Sequence, residues 1–203
     1  MSEKRPTMTR LLLIRHGETD WNVEGRYQGQ ADPPLNARGL AQAQALAKQL
    51  QAQGPHPTVV YASPLRRAWQ TAILVAQAVH APLKADPRLK EIHLGAWEGV
   101  LATEIARRWP ALFQAWETAP WQTRPPGGET IAEVQRRVYA AVDDIVARHP
   151  HETVAIVAHR LPIALLKIRY QGYDPSEVRR IPVANAQYEI LEVPPEGPSP
   201  LQG

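Results

Sequence analysis

The chain has 203 residues, a formal net charge of +3 at pH 7, no cysteine, and 44% hydrophobic against 21% charged residues. That length suits one domain with a sizeable core, and the missing cysteine excludes a disulfide framework and a thiolate zinc site. The basic residues are dispersed as pairs among acids, against a nucleic-acid stripe, and no apolar run approaches the roughly 18 residues that span a bilayer.

In chain order, residues 1–8 are polar, lack the apolar centre of a signal peptide, and are expected to be loose. "RLLLI", 10–14, has the composition of a short buried strand. Residues 17–35 carry Gly17, Gly25, Gly29, Pro33 and Pro34 and are expected to be loop, of a length that is usually functional or disordered. Asn36 can cap a helix over 37–53, with Leu40, Ala43, Ala47 and Leu50 on its apolar face. "TVVYA", 58–62, predicts a second strand, and Ser63 with Pro64 predicts the start of a helix whose apolar face is Leu65, Trp69, Ala72, Ala76 and Val79. "PLKADPRL" suggests an edge strand. Residues 98–128, with Trp97 just before them, carry tryptophans and prolines among short helical patterns and are expected to form a cap insertion.

The clearest helix follows, with Ile131, Val134, Val138, Ala141, Val142 and Ile145 on one stripe. "TVAIVA", 153–158, predicts a buried strand ending on His159. Pro162 predicts the opening of another helix, and "AQYEILEV" a final strand. Residues 194–203 are expected to be a loose tail. Strands alternating with helices predict an α/β fold: three layers, α/β/α, around a mostly parallel sheet, in a single domain over 1–203.

Two of these strands end alike. "LLLI" runs into Arg15-His16, and "VAIVA" into His159-Arg160. Ligands of open α/β sheets bind outside the carboxyl ends of the strands. If the two strands are parallel neighbours, both imidazoles meet one crevice, and "SPLRR" after the second strand brings Arg66 and Arg67 to the same rim. Clustered guanidiniums repel one another in a low-dielectric cleft. The natural guest is a compact, multiply charged anion, and phosphate matches the guanidinium fork.

The stretches "RHGETDWN", "SPLRRAWQT", the glutamate of "LKEIHLGAWEG", and "AH" after a buried strand resemble the histidine phosphatase superfamily, also called phosphoglycerate mutase-like, from about residue 10 to 191. The resemblance implies that His16 is the nucleophile that becomes phosphorylated, that Arg15 and Arg67 bind the phosphate, and that Asn22 is a further ligand. It implies that His159 is the second pocket histidine and Glu91 the proton donor. Gln28 and Arg160 complete the candidate substrate-binding set, and Glu98 in "WEG" is expected to be structural.

On this view Arg15, Arg67 and a cationic His159 stabilise a loose transition state without a metal or other cofactor. His16 must be neutral to attack, with an acceptor on its other nitrogen fixing the tautomer. Glu91 must carry a proton to serve the leaving group. "HGETD" also resembles a metal-binding loop, but it supplies too few convergent ligands.

The short segment before "RPPGGET" resembles the phosphatase branch rather than the mutases. The expected activity is therefore phosphomonoester hydrolysis of a small phosphorylated metabolite. Phosphoglycerate mutase-type transfer and a phosphate-ester binding module are the alternatives. The inserted tryptophans are expected on the leaving-group side. Relatives generally carry glycine after the second histidine. Here Arg160 stands there, expected either to face solvent or to bind a second acidic group of the substrate. The protein is expected to be cytoplasmic, with no nucleic-acid or membrane partner, and possibly a homodimer.

Overall fold

A computed structural model describes residues 8–194; apart from Met8 and Pro194, both expected tails lie outside the described residues. The centre is a five-stranded sheet in the order β3-β2-β4-β1-β5. β1 (Thr9–Arg15), β2 (Val59–Ala62), β3 (Leu83–Ala85) and β4 (Thr153–Ala158) run parallel, and β5 (Tyr188–Val193) pairs antiparallel to β1 at one edge. Parallel neighbours need crossovers. These are α2 (Ala37–Gln53), α3 (Arg66–Ala78), and α6 (Ile131–Arg148) with the segment before it; α7 (Arg160–Gln171) then leads to β5.

Alternate residues of a strand point to opposite faces, and both faces here are covered. Leu12, Ile14, Val60, Ala62, Ala155 and Val157 share one buried cluster with Leu46 and Leu50 of α2 and with Ala68, Ala72 and Val75 of α3. Leu11, Leu13, Val59, Tyr61, Val154 and Ile156 pack on the other side, with the stripe of α6 and with Leu161, Ile163 and Leu165 of α7. The result is the expected three-layer α/β/α sandwich. All six residues predicted for the α6 stripe are fully buried, and Thr130 with Glu133 closes a capping box at its start.

Several local expectations fail for identifiable reasons. Leu40 is exposed, and Gly39 beside it is the buried residue, packed against the Glu18 backbone of the loop after β1. The loop over 17–35 contains a short helix, α1 (Asp20–Glu24), closed by a capping box between Thr19 and Asn22. Ser63 is not the cap of α3; the cap position is Leu65, without a side-chain bond, and Pro64 precedes the helix. Pro162 is the third residue of its helix rather than the first. Residues 98–128 hold α4 (Ala102–Arg108), α5 (Pro110–Thr118) and a 3-10 turn at Pro120–Gln122. They are pinned by an aromatic cluster in which Trp97 meets Trp116 edge-on at 5.9 Å and Phe113 at 6.3 Å. Trp97 is fully buried, so it serves packing.

The loop after β1 is pressed against α2. A Cβ on Gly39 would fall 2.0 Å from the Glu18 carbonyl oxygen, and one on Gly17 2.4 Å from the Gly39 carbonyl oxygen. Helix propensity alone would favour Gly39→Ala by about 1 kcal/mol. Because the obstruction is backbone, that substitution is expected instead to destabilise by about 1–3 kcal/mol. The measurement is the urea midpoint at unchanged m-value; a midpoint that rises would show that the loop yields.

Candidate active site

The parallel pairing of β1 with β4 puts Arg15 opposite Ala158, and the ladder continues with His16 N–H donating to the Ala158 carbonyl at 3.1 Å. His16 and His159 therefore emerge side by side, ring centroids 5.2 Å apart and planes at 56°. β2 lies on the far side of β4. Ser63 N–H, just past its end, donates to Val157 O at 3.0 Å, and the turn that follows swings α3 so that Arg67 points inward. Arg67 is 1% exposed, whereas Arg66 is on the surface.

Arg15, His16, Asn22, Gln28, Arg67, Glu91 and Arg160 all line one cleft of about 350 Å³. His159 is fully buried against His16 rather than on the cleft wall.

His16 Nδ1 lies 2.7 Å from the Gly17 carbonyl oxygen. A carbonyl can only accept, so Nδ1 carries the proton and Nε2 keeps its lone pair. Burial, reinforced by Arg67 and Arg15, pushes His16 well below the usual imidazole range. Gly17 N–H donates to Thr71 Oγ1 at 3.1 Å, and Thr71 donates on to the Arg67 carbonyl at 2.9 Å. Asn185 holds the His16 carbonyl at 2.9 Å.

His159 Nε2 lies 2.7 Å from Ser63 Oγ, while its buried Nδ1 has no protein partner among the described residues. Burial, then Arg67, His16 and Arg15, hold its pKa well below the usual range as well. The expectation of a cationic His159 is thus corrected: in the field of the protein alone it is neutral at pH 7. Ser63 Oγ accepts from Leu65 N–H at 3.3 Å; when its hydroxyl donates to Nε2, His159 carries its proton on Nδ1 as a neutral donor.

The guanidiniums are held by carbonyls. Arg15 Nη1 donates to Val183 O at 2.7 Å, and Arg67 donates to Ala31 O at 2.8 Å and Gly29 O at 2.7 Å. Burial lowers both pKa values, that of Arg67 to about 10, so both stay charged at neutral pH. The Nε of each is buried without a protein partner among the described residues.

Glu91 accepts from Ile92 N–H at 2.9 Å and from Leu161 N–H at 3.4 Å. Its carbonyl accepts from Gln30 Nε2 at 3.1 Å and Arg137 Nη2 at 2.9 Å. Arg137 also grips the carbonyls of Arg88 and Lys90, so α6 stakes down the segment that carries Glu91. No spacing in the sequence singles out Arg137 for this contact.

Asn22 turns Oδ1 to Thr19, leaving its amide N–H groups for the cleft. Glu98 accepts from Gln30 N–H and Leu94 N–H, the structural role expected of it. Glu18 bonds Asn36 and pairs with Arg38, and Asp20 is exposed in the first turn of α1. Neither points to a metal loop, and no group of three or more His, Asp or Glu among the described residues is placed to hold a metal ion.

Arg160 begins α7 in ordinary helical geometry, outside the positive-φ residues. It lines the cleft and donates to the Arg179 carbonyl. Of the tryptophans, only Trp116 reaches the wall, joined by Arg26, Tyr27 and Arg179. Arg26 and Tyr27 were legible as part of a long loop after the first strand. Arg179, 20 residues past the second histidine, carried no signal beyond a basic pair.

Residues 11–202 match the sequence model of the histidine phosphatase superfamily, branch 1. The chain is 36% identical over 186 residues to phosphoserine phosphatase 1 of Hydrogenobacter thermophilus, covering 92% of this chain and 87% of that protein. It is 37% identical over 154 residues to a metal-independent phosphoserine phosphatase of Arabidopsis thaliana, covering 75% of this chain and 64% of that longer protein. Among solved structures, Bacillus stearothermophilus YhfR superposes with a TM-score of 0.84 at 39% identity, over 91% of each chain. The strand-end histidines thus sit in a sequence and a fold that agree over nearly the whole length, and the chain belongs to the histidine phosphatase superfamily.

Proposed function

We propose that the protein is a metal-independent phosphomonoester hydrolase of the cytoplasm, acting on a small phosphorylated metabolite through a phosphohistidine at His16. The observation that carries this reading is the His16 ring itself: Nδ1 is committed to the Gly17 carbonyl, and Nε2 is left beside His159 in a cleft whose buried guanidiniums have carbonyl partners only.

In the first step His16 Nε2 attacks phosphorus as the bond to the ester oxygen breaks. Charge spreads over three equatorial oxygens. Arg15, Arg67, the Asn22 amide and the His159 Nδ1–H are the donors that meet it, set in advance by the fold rather than reorganised during reaction. Glu91 gives its proton to the departing alkoxide. In the second step the Glu91 carboxylate takes a proton from water. That water attacks phosphorus, the N–P bond breaks, and inorganic phosphate leaves with His16 restored.

The test is p-nitrophenyl phosphate turnover with and without chelator. Turnover indifferent to chelator, release of inorganic phosphate, and an acid-labile phosphoenzyme that His16→Ala abolishes are expected. Loss of activity with chelator would overturn the metal-independent mechanism, and absence of turnover would favour a binding module. Glu91→Gln is expected to slow phosphoenzyme formation by about 10²–10⁴-fold, most for poor leaving groups, as read by single-turnover kinetics across aryl and alkyl esters.

The two buried imidazoles also set a pH dependence of stability. Both pKa values fall on folding, burial being the main cause. Below pH 6.5 the unfolded chain takes up protons that the folded chain refuses, so stability falls with acid until the folded pKa values are reached. Between pH 7.5 and 5.5 the pair is expected to remove about 2–3 kcal/mol, measured by urea denaturation. His159→Asn is expected to halve that loss; an unchanged slope would contradict the assignment.

A further inference from the structure

Five arginines line the cleft: Arg15, Arg26, Arg67, Arg160 and Arg179. Arg26 is paired with Glu24, and Arg179 with Glu117 at 2.5 Å. The other three have no acidic partner within ion-pair distance among the described residues. Glu91 is the only carboxylate among the lining residues.

Arg15 and Arg67 belong to the phosphoryl end. Arg160 comes from a different element, the start of α7, and is near enough to Arg15 to lower its pKa. It follows His159 directly and spends one N–H on the Arg179 carbonyl; its remaining N–H groups meet no protein acceptor among the described residues. The Arg179 guanidinium lies 5.4 Å from the centre of the Trp116 ring, bonded to the Trp116 carbonyl at 3.0 Å and to the Tyr27 hydroxyl at 3.4 Å. Arg160 is thereby placed on the side of the cleft that α5 and the Tyr27 loop close.

Charge decides what that side accepts. With Glu91 protonated for proton donation, three unpaired guanidiniums face a phosphate dianion, and one positive charge is left over. A partly buried charge without a partner is costly. A carboxylate cancels it and matches the guanidinium fork in two parallel hydrogen bonds. Burial lowers the pKa of Arg160, Glu91 offsets part of that, and Arg179 lowers it further.

We infer that Arg160, backed by Arg179, forms a second anion subsite that selects phosphomonoesters carrying a carboxylate close to the ester oxygen. This rests on the hydrolase reading for the phosphoryl end and names the substrate class of the same site.

The test compares 3-phosphoglycerate with glycerol 3-phosphate, which share a three-carbon chain and one phosphate and differ by the carboxylate. The unmodified chain is expected to favour the acid about ten- to hundredfold in kcat/KM. Arg160→Ala is expected to bring that ratio toward one, chiefly through KM for the acid. Arg160→Lys, which keeps the charge but not the fork, restores only part of it. An unmodified ratio near one, or a ratio untouched by Arg160→Ala, overturns the subsite while turnover of both compounds leaves the hydrolase reading intact.

Binding is read separately in the His16→Ala background by thermal shift against the same two compounds. Stronger protection by 3-phosphoglycerate that disappears with Arg160→Ala supports the subsite even if neither compound is turned over. Equal protection by both overturns it.

Discussion

The molecule depends on holding positive charge in a buried place without neutralising it. Arg67 is almost wholly enclosed, yet its partners are the carbonyls of Gly29 and Ala31, and Arg15 leans on the carbonyl of Val183. A carbonyl dipole fixes the direction of a guanidinium and offsets part of its lost hydration, but it leaves the net charge in place. A carboxylate would have given a more stable pair and a dead site, because removing the charge removes the attraction for an anion. The fold therefore accepts a desolvation cost in its free form. An anion bound to the folded state alone returns stability in proportion to its affinity.

That choice propagates. Burial first, and the charged arginines second, hold both imidazoles in the neutral form, so His16 needs no general base to free a ring lone pair. The tautomer of His16 is set by Gly17, whose own N–H is held by Thr71, which in turn bonds the Arg67 carbonyl. One hydroxyl thus ties the turn after β1 to the first turn of α3. The close packing of Gly17 against Gly39 holds the same turn directly after His16 against α2.

Much of this was legible in the sequence, because strand ends are legible. A run of apolar residues stopping on Arg15-His16, and another on His159, gives direction and address once the strands are parallel neighbours. The α6 stripe was legible for the same periodic reason. Contacts between segments distant in sequence were not. Arg137 reaches from a helix face to the carbonyls around Glu91, and Arg179 is turned inward by Trp116 and Tyr27. No local spacing encodes either event. Leu40 misled because a close backbone approach placed a glycine where the hydrophobic period asked for a leucine.

Ser63 shows how a correct observation can carry the wrong cause. A serine before proline at the head of a helix has the signature of a cap, and capping is the cheapest explanation of it. In the fold its hydroxyl faces across β4 to His159 Nε2 at 2.7 Å, while the helix starts without a side-chain cap. The turn from Ser63 to Arg67 then delivers two things to the site at once: a buried guanidinium, and a hydroxyl partner for Nε2 of the second imidazole. A neutral ring so held can donate through Nδ1 without adding a further cation to a cleft already crowded with them. For this reason burial of His159 and clustering of arginines are compatible in one site.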